Sequence, residues 1–194
     1  MTKSEKTKQY IIEKTAPLFN TKGFAGTSLN DMVSATGLTK GSIYGNFKNK
    51  DEVAAAAFEC NFERIEELIE EEMKSHRTYR SKLLAYAKVY ENFLKEPFPI
   101  GGCPILNTAI ESDDTHPELK KKANAALISW KYSIAQLIKK GIEGKEFKKS
   151  TNPDQIAITL LALLEGGIMI GKLTGNSKYK KDITKAIENL VKDI

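Results

Sequence analysis

The sequence predicts an all-α protein of about nine helices, organised as a three-helix head and a larger helical body. Apolar residues recur along almost the whole chain at the three- and four-residue spacing of amphipathic helices. We find no run of alternating apolar and polar residues of the kind that predicts a strand. Residues 27–50 contain two short helical patterns on either side of a glycine, which is typical of a helix-turn-helix.

The first helix of the head is predicted over residues 4–21. Ile12, Ala16 and Phe19 fall on one face of it and would pack on the helices that follow. Pro17 lacks a backbone N–H and costs about 3 kcal/mol in a helix interior, so we expect a kink or a locally loosened turn there. Gly23 is expected to end the helix.

The next two helices have capping residues where they are needed. Thr27 or Ser28 can accept a hydrogen bond from an N–H at the start of the second helix. Gly37 can take the left-handed conformation that ends it, and Thr39 can cap a third helix over residues 40–47. The apolar face of the third helix is formed by Ile43, Tyr44 and Phe47. A helix of this size fits the major groove of DNA.

The excess of positive charge lies in the head. The chain has 30 basic and 25 acidic residues, a net charge of +5. Residues 1–50 hold eight lysines and three acids, and the rest of the chain carries equal numbers of both signs. A basic segment around a helix-turn-helix favours double-stranded DNA as the partner. The charge by itself is also compatible with an ordinary solvated lysine surface.

The body is predicted to contain six helices, separated by proline- and glycine-containing breaks at residues 96–102 and 112–117. We therefore predict a DNA-binding domain over residues 1–50 and a helical domain over residues 51–194. The helices are expected over residues 51–76, 79–95, 103–111, 117–144, from 153 onward, and 179–194. The acidic residues of the first of them are interpreted as a solvated face; they are Glu66, Glu67, Glu70, Glu71 and Glu72.

The helix beginning at Pro153 is apolar on nearly all sides between Ile156 and Ile170. A helix without a polar face must be covered on both sides, and a second copy of the chain is the simplest cover for the side away from the body. Gly166 and Gly167 would let two helices approach closely. Because the run is shorter than the roughly 20 residues that cross a bilayer, we interpret it as a buried helix and expect no membrane association.

Cysteine usage and the first residues favour a cytoplasmic protein. Cys60 and Cys103 form no CxxC motif and predict no disulfide framework, which fits a reducing compartment. Residues 1–10 lack the apolar core of a signal peptide. His76 and His116 are expected to be solvated, and no spacing of His, Cys and acidic residues predicts a metal site. We expect no cofactor.

Four segments of the head have a recognisable order and spacing: residues 22–24 (KGF), 26–29 (GTSL), 37–44 (GLTKGSIY), and Phe47 with residues 50–52 (KDE). Together they resemble the TetR/AcrR family of bacterial transcriptional regulators. The resemblance implies a homodimer through residues 153–194, a near-palindromic operator, and a cavity in the body for a small-molecule effector. It further implies a repressor that leaves its operator when the effector binds.

Eleven residues are predicted to contact DNA. A recognition helix presents its N-terminal end to the base edges, and by the family resemblance the hydroxyl of Tyr44 reaches the DNA backbone. Gly45 and Asn46 stand where family members often carry His or an aromatic residue. The predicted DNA-binding residues are Thr27, Ser28, Thr39, Lys40, Gly41, Ser42, Tyr44, Gly45, Asn46, Lys48 and Lys50.

Eight residues are predicted to line the effector cavity. They are aromatic or polar residues on otherwise apolar helices, where a polar group needs a partner. An ordinary core role stays open for the aromatic ones. The predicted ligand-binding residues are Phe62, Tyr86, Tyr90, Phe93, Cys103, Asn107, Trp130 and Glu165.

Three other functions were considered. A regulator could sense oxidants or electrophiles through Cys103, because a thiolate at the start of a helix is stabilised. A small-molecule-processing helical enzyme is disfavoured, since we find no Ser/His/Asp arrangement, no phosphate-binding Gly loop and no paired acids. A protein-binding module that uses the helix-turn-helix only as a scaffold is disfavoured by the charge of the head.

Overall fold

The computed structural model describes residues 1–112 and 115–194 and is all-helical over them, which confirms the predicted fold class. Asp113 and Asp114, in the predicted break at residues 112–117, lie outside the described residues. The helices within the described part are α1 (Lys3–Gly26), α2 (Leu29–Thr36), α3 (Lys40–Asn46), α4 (Lys50–Lys74), α5 (Tyr79–Glu91), α6 (Pro104–Ser112), α7 (Pro117–Glu143), α8 (Pro153–Thr174) and α9 (Ser177–Asp193).

The chain forms two compact units. The first contains residues 1–65 and 99–124, and the second contains residues 66–98 and 125–194. Helices α4 and α7 each contribute residues to both units. This is a division by packing, and the functional division into residues 1–50 and 51–194 stays a prediction.

The core of the first unit joins the head helices to the start of α4. Five side chains at most 2% exposed form it, and residues such as Tyr44 pack on their outside. Ser28 is the N-cap of α2, Thr39 is the N-cap of α3, and Gly37 ends α2 with φ 67°, as predicted. The five core residues are Ile11, Met32, Ile43, Phe47 and Val53.

The break in α1 lies at Gly23 and not at Pro17. Among the residues of α1, all of which are described, only Gly23 has non-helical dihedral angles (φ 72°, ψ 179°). The dihedral angles at Pro17 are helical, so the helix is not interrupted at the proline. The predicted end at Gly23 corresponds to this break, after which a short helical turn continues to Gly26.

A buried amide joins α1 to the segment before α6 within the first unit. The side chain of Asn20, 6% exposed, donates hydrogen bonds to the carbonyls of Ile100 and Gly102, both at 2.8 Å. The side-chain amide of Asn107 on α6 donates to the carbonyl of Gly101 (2.9 Å) and to that of Asn20 (3.0 Å). Polar groups at this buried contact are thus hydrogen-bonded across it, as burial requires.

A carboxylate of α6 also holds the backbone that follows the break in α1. Glu111 accepts hydrogen bonds from the N–H groups of Phe24 (2.7 Å) and Ala25 (2.8 Å). These N–H groups lack helical partners because Gly23 interrupts the helix. We call the contacts of α6 and its preceding segment with Asn20, Phe24 and Ala25 the α1–α6 contact.

The second unit is built on the mutual packing of α5, α8 and α9. Arg80 at the start of α5 links these helices to the end of α9. Its guanidinium group donates to the carbonyls of Glu146, Val191 and Ile194 and lies over the ring of Phe147. A cation at carbonyls that end a helix is favourable because those carbonyls carry partial negative charge.

Helix α8 is longer than the apolar run from which it was predicted. It has 22 residues and is long and apolar enough to cross a membrane by length and composition, although a single such helix is weak evidence of that. The expectation that the segment is too short was therefore wrong. Its inner side is buried, whereas Ile158 and Met169 are each 45% exposed and Leu173 is 80% exposed.

Helix α5 ends at Glu91, four residues earlier than predicted. Asn92 leaves the helical conformation and its N–H donates to the carbonyls of Val89 and Tyr90. Pro97 lies shortly beyond, and the residue before a proline is disfavoured in a helix. Phe93 is consequently buried in a turn, while Leu94 is 61% exposed.

Candidate nucleic-acid interface and effector clefts

Helix α3 has one face in the core of the first unit and one face open to solvent. Ile43 is fully buried. Lys40, Gly41 and Gly45 are exposed, and a side-chain carbon added at Gly45 would meet no atom within 4 Å. The glycine therefore has no packing function here. Because it has no side chain, another molecule can approach the helix backbone closely at this face.

The side chains of Thr39 and Asn46, at the two ends of α3, are hydrogen-bonded within the protein. Thr39 accepts from the N–H of Ser42 at 3.1 Å as the N-cap. Asn46 donates from its side chain to the carbonyl of Ser42 at 2.8 Å and accepts from the hydroxyl of Ser4 at 3.3 Å. A contact of the Asn46 side chain with adenine would have to replace these bonds.

The two hydroxyl residues before α2 differ in their surroundings. Thr27 is fully buried and donates to the carbonyl of Gly23 at 2.7 Å, so this hydroxyl proton is not available to a phosphate. Ser28 is exposed and forms a capping box with Asp31. Lys22, at 2.6 Å, together with hydrogen bonds from Ser28, holds the pKa of Asp31 far below its usual range. Ser28 is the exposed member of the predicted pair, but its hydroxyl likewise donates within the protein, to Asp31 at 2.6 Å.

Replacing Asp31 by asparagine is expected to destabilise the protein in a pH-dependent way. Because the folded-state pKa is lowered, the carboxylate contributes stability above its unfolded pKa of about 4. This contribution is lost as the pH falls through the lower folded-state value. Chemical denaturation should therefore show the largest difference between wild type and Asp31→Asn at pH 7 and a shrinking one below about pH 4. A difference that does not change with pH would contradict this.

The start of α4 carries the remaining predicted phosphate contacts. Lys48 has an exposed side chain, and its backbone N–H donates to Glu52 at 2.8 Å. That hydrogen bond, with a weaker contribution from Lys8, lowers the pKa of Glu52. Lys50 lies over the ring of Phe24, with its Nζ 4.2 Å from the ring centre. Lys48 is thus the more accessible cation of the predicted pair.

His116 is not solvated, in contrast to the prediction. Its side chain is 12% exposed, its Nε2 lies 2.9 Å from Asp51, and its Nδ1 accepts from the N–H of Leu119. Its ring meets the edge of Phe24, with ring centres 4.4 Å apart. His116 is therefore a capping residue at the start of α7 that also contacts the start of α4. His76 is partly exposed and lies 3.1 Å from Glu72.

Two of the predicted ligand residues line an open cleft in the second unit. Tyr86 and Trp130 lie in it with ring centres 6.5 Å apart, and its volume is about 540 Å³. We call it the aromatic–acidic cleft. It lies between α4, α5 and α7 and is lined by Glu66, Ile69, Glu70, Met73, Tyr86, Trp130, Ser133 and Leu137.

Two others line a smaller cleft of about 290 Å³ between α5, α8 and α9. Tyr90 and Phe93 form part of its wall together with Lys180 and Ile183. Phe93 lies so close to Gly171 that a side-chain carbon added there would be 2.7 Å from its ring. Tyr90 also contacts Trp130, with ring centres 5.8 Å apart. These two residues therefore belong to the core of the second unit and also line its clefts.

The other four predicted ligand residues line neither of these clefts. Phe62 stacks on Phe58 in the first unit, Cys103 is fully buried directly before α6, and Asn107 takes part in the α1–α6 contact. Glu165 is half-buried on α8. Asn107 was predicted as a ligand residue because its polar side chain needs a partner. In the structure its side-chain amide donates to the backbone carbonyls of Asn20 and Gly101.

Sequence reasoning missed residues in both units. Glu70 is exposed as expected and Glu66 is half-buried, but the sequence analysis did not predict that both line the aromatic–acidic cleft. The sequence did contain a pattern that could have indicated this. One face of the helix carries, at helical spacing, Glu66, Ile69, Glu70 and Met73. Glu111 and Asn20 gave no such signal, since their partners are backbone groups distant in the sequence.

A basic helix-turn-helix head with an open recognition helix, followed by a helical body that contains clefts, defines a DNA-binding transcriptional regulator. Residues 11–57 match the family model described as bacterial regulatory proteins of the tetR family, and residues 80–187 match the tetracyclin repressor-like C-terminal domain. The chain belongs to the TetR family of transcriptional regulators, whose members are dimeric and ligand-responsive.

Solved structures support the same assignment. A TetR-family transcriptional regulator from Cytophaga hutchinsonii is 47% identical, with a TM-score of 0.97 over 100% of this chain and 97% of that one. A TetR transcriptional regulator from Chloroflexus aurantiacus is 32% identical, with a TM-score of 0.93 over 99% and 97% of the two chains. The reduced form of E. coli NemR is 22% identical over 95% and 96%, and its TM-score of 0.83 shows the shared fold.

Proposed function

We propose that this chain represses transcription by binding a near-palindromic operator with the N-terminal ends of two α3 helices. The observation that supports this most is the open face of α3, where Lys40 and Gly41 are exposed and Gly45 leaves the backbone accessible. The other predicted DNA contacts with exposed side chains are Ser28 and Lys48. The N-terminus of a recognition helix is the part that reaches base edges.

We infer that the dimer forms through residues 153–194. The exposed apolar residues of α8 and α9 support this, since Leu173 is 80% exposed and Tyr179 is 43% exposed. Contiguous exposed apolar surface is costly in water and marks an interaction site. A second copy would bring two α3 helices to one operator, and two half-sites would double the number of DNA contacts.

We propose that a small molecule bound in the second unit releases the operator. Helix α4 carries Glu66 and Glu70 at the aromatic–acidic cleft and begins at Lys50, next to the head. A ligand that shifts this helix acts on the segment that follows α3. Coupling of this kind requires that the ligand and the operator favour different positions of α4.

We also place the protein in the cytoplasm and assign it no enzymatic function. Its relatives are bacterial transcriptional regulators, which act where the chromosome is. The redox alternative stays a prediction: Cys103 is fully buried, whereas thiols that react with oxidants are accessible. If Cys103 were the sensor, Cys103→Ala would abolish an oxidant-induced loss of DNA binding that wild type shows.

The proposed function is tested by duplex binding at several salt concentrations. The probe is the DNA upstream of the gene that encodes the chain, compared with scrambled duplex of equal length. Contacts of several lysines with phosphates should make the logarithm of the affinity fall steeply and linearly with the logarithm of the salt concentration. Binding that does not distinguish the two duplexes at physiological salt would reject an operator-specific regulator.

Gly45→Ala separates a structural role of this glycine from a role at the DNA. Alanine is more favourable than glycine in a helix by about 1 kcal/mol, and the position has free space, so we expect a higher melting temperature. If α3 approaches the groove closely there, operator affinity should fall about tenfold. Unchanged affinity in the stabilised variant would place Gly45 outside the interface.

A further inference from the structure

We propose that the aromatic–acidic cleft binds a lipophilic organic cation. The inference rests on the proposed function and specifies the chemical class of the effector. It is drawn from three features of the cleft: the sign of the charges that line it, the aromatic rings in its wall, and its size.

The charges that line the cleft are all negative. Glu66 and Glu70 lie one helical turn apart on α4, so that both carboxylates face the same side. Among the described lining residues there is no Lys, Arg or His. Both carboxylates also act on the hydroxyl of Tyr86, whose pKa is raised by burial first and then by these two charges. An anionic ligand would be repelled here, and a cation would be attracted.

The rings of Tyr86 and Trp130 supply the second feature. They are 4% and 2% exposed, and their centres are 6.5 Å apart with a nearly perpendicular arrangement. The face of an aromatic ring is electron-rich and attracts cations, most strongly in the case of Trp. Carboxylates beside such rings are a combination that favours a cation with apolar substituents over an inorganic ion.

Size and the remaining wall supply the third feature. The cleft is open to solvent, and the space between its atoms is about 540 Å³ with part of that solvent included. Ile69, Met73 and Leu137 complete the wall with apolar surface. Met is flexible and adapts to irregular ligands. A small hydrated cation would leave these side chains without a contact.

The smaller cleft of the same unit offers a contrast. The charges in its lining are mixed, because Lys180 and Glu91 both line it. Lys180 already lies over the ring of Phe93, with its Nζ 5.2 Å from the ring centre. The cation position at that aromatic ring is thus occupied by the protein itself. This cleft carries no comparable preference for a cationic ligand.

The test uses two probes of nearly the same shape and opposite charge, tetraphenylphosphonium and tetraphenylborate. Trp130 is the single tryptophan of the chain, so its fluorescence reports binding in this cleft directly. Calorimetry on the full-length protein gives the affinities. We expect the cation to bind at least about tenfold more tightly than the anion, against the net positive charge of the protein. Equal binding of both probes, or tighter binding of the anion, would overturn the proposal.

Two variants and a matched control localise the effect. The double variant Glu66→Gln, Glu70→Gln keeps the shape of the cleft, and we expect it to lose about tenfold in affinity for the cation. Ser133→Arg puts a like charge into the cleft, so cation binding should be lost while anion binding is retained. Glu67→Gln removes the same charge from an exposed position of α4 outside the cleft and should leave both affinities unchanged.

The variants also show whether the chain remains folded. Far-UV circular dichroism and melting temperatures accompany each titration, and Ser133→Arg changes an exposed position. Equal loss of cation binding in Glu67→Gln and in the double variant would reject the cleft as the site. Probe binding is measured without DNA, so a failure here is distinct from a failure of duplex binding, which would reject the proposed function itself.

Discussion

Gly101→Ala is expected to lower the free energy of unfolding by roughly 3 kcal/mol. Two causes add at this position. Its φ of 95° lies in a region that residues with a side chain rarely adopt. An added side-chain carbon would also be 2.6 Å from the carbonyl oxygen of Asn20, which is a backbone atom of α1 and cannot rotate away.

Gly37→Ala is the matched control for this prediction. Gly37 also has a positive φ, 67°, and also belongs to the first unit, but a side-chain carbon there would meet no atom within 4 Å. Alanine at this position carries only the left-handed backbone cost of about 1–2 kcal/mol. The difference between the two variants in free energy of unfolding therefore measures the cost of the steric clash at the α1–α6 contact.

Chemical denaturation and amide hydrogen exchange measure the effect. In Gly101→Ala we expect faster exchange at the backbone N–H groups of Phe24 and Ala25, because Glu111 holds them only while α6 stays against α1. Gly37→Ala should leave these two amides protected. Equal destabilisation in both variants would show that α1 and α6 separate at little cost.

Lys40→Ala is expected to reduce operator affinity roughly 100-fold while the melting temperature stays the same. Lys40 is exposed at the first position of α3, and the hydrogen bonds that Thr39, Ser42 and Asn46 make there do not involve its side chain. A contact with a base edge or a phosphate contributes about 1–3 kcal/mol. Two copies of the chain on a near-palindromic operator would lose the contact twice.

Lys14→Ala is the control for charge. It removes one positive charge from an exposed position of α1 that is outside the predicted interface. Affinities are measured by fluorescence anisotropy across a salt series. The slope of the logarithm of affinity against that of salt should fall by about 2 in Lys40→Ala if the lysine contacts phosphate in each half-site. Equal losses in both variants would mean that charge in general, and not the position in α3, determines binding.

The local structure of the head could be predicted from the sequence in detail. Ser28, Gly37 and Thr39 act at the ends of α2 and α3 as expected, because capping depends on residues at most four apart. The apolar stripes likewise predicted which faces are buried, since helical spacing relates sequence to position directly. The fold class and the TetR family followed from these local signals.

Predictions failed for the partners of polar residues, at both short and long separations in the sequence. The hydroxyl of Thr27 was expected to reach phosphate but is buried against the carbonyl of Gly23. Asn107 was expected at a ligand and instead meets the backbone of α1. Glu70 is exposed as expected and Glu66 is half-buried, but the cleft that both line was not predicted. In each case a polar residue has several possible partners, and the sequence does not rank them.

The sequence by itself determined that the protein is helical, that residues 1–50 contain a basic helix-turn-helix, and that α8 is apolar on nearly all sides. These properties depend on spacing, charge and length, which are local. Only the tertiary structure decided that Glu111 and Asn107 hold α1 and that two acids share a cleft with Tyr86 and Trp130. Such contacts join residues distant in the chain, and burial makes each polar group bond to whichever partner the packing brings near.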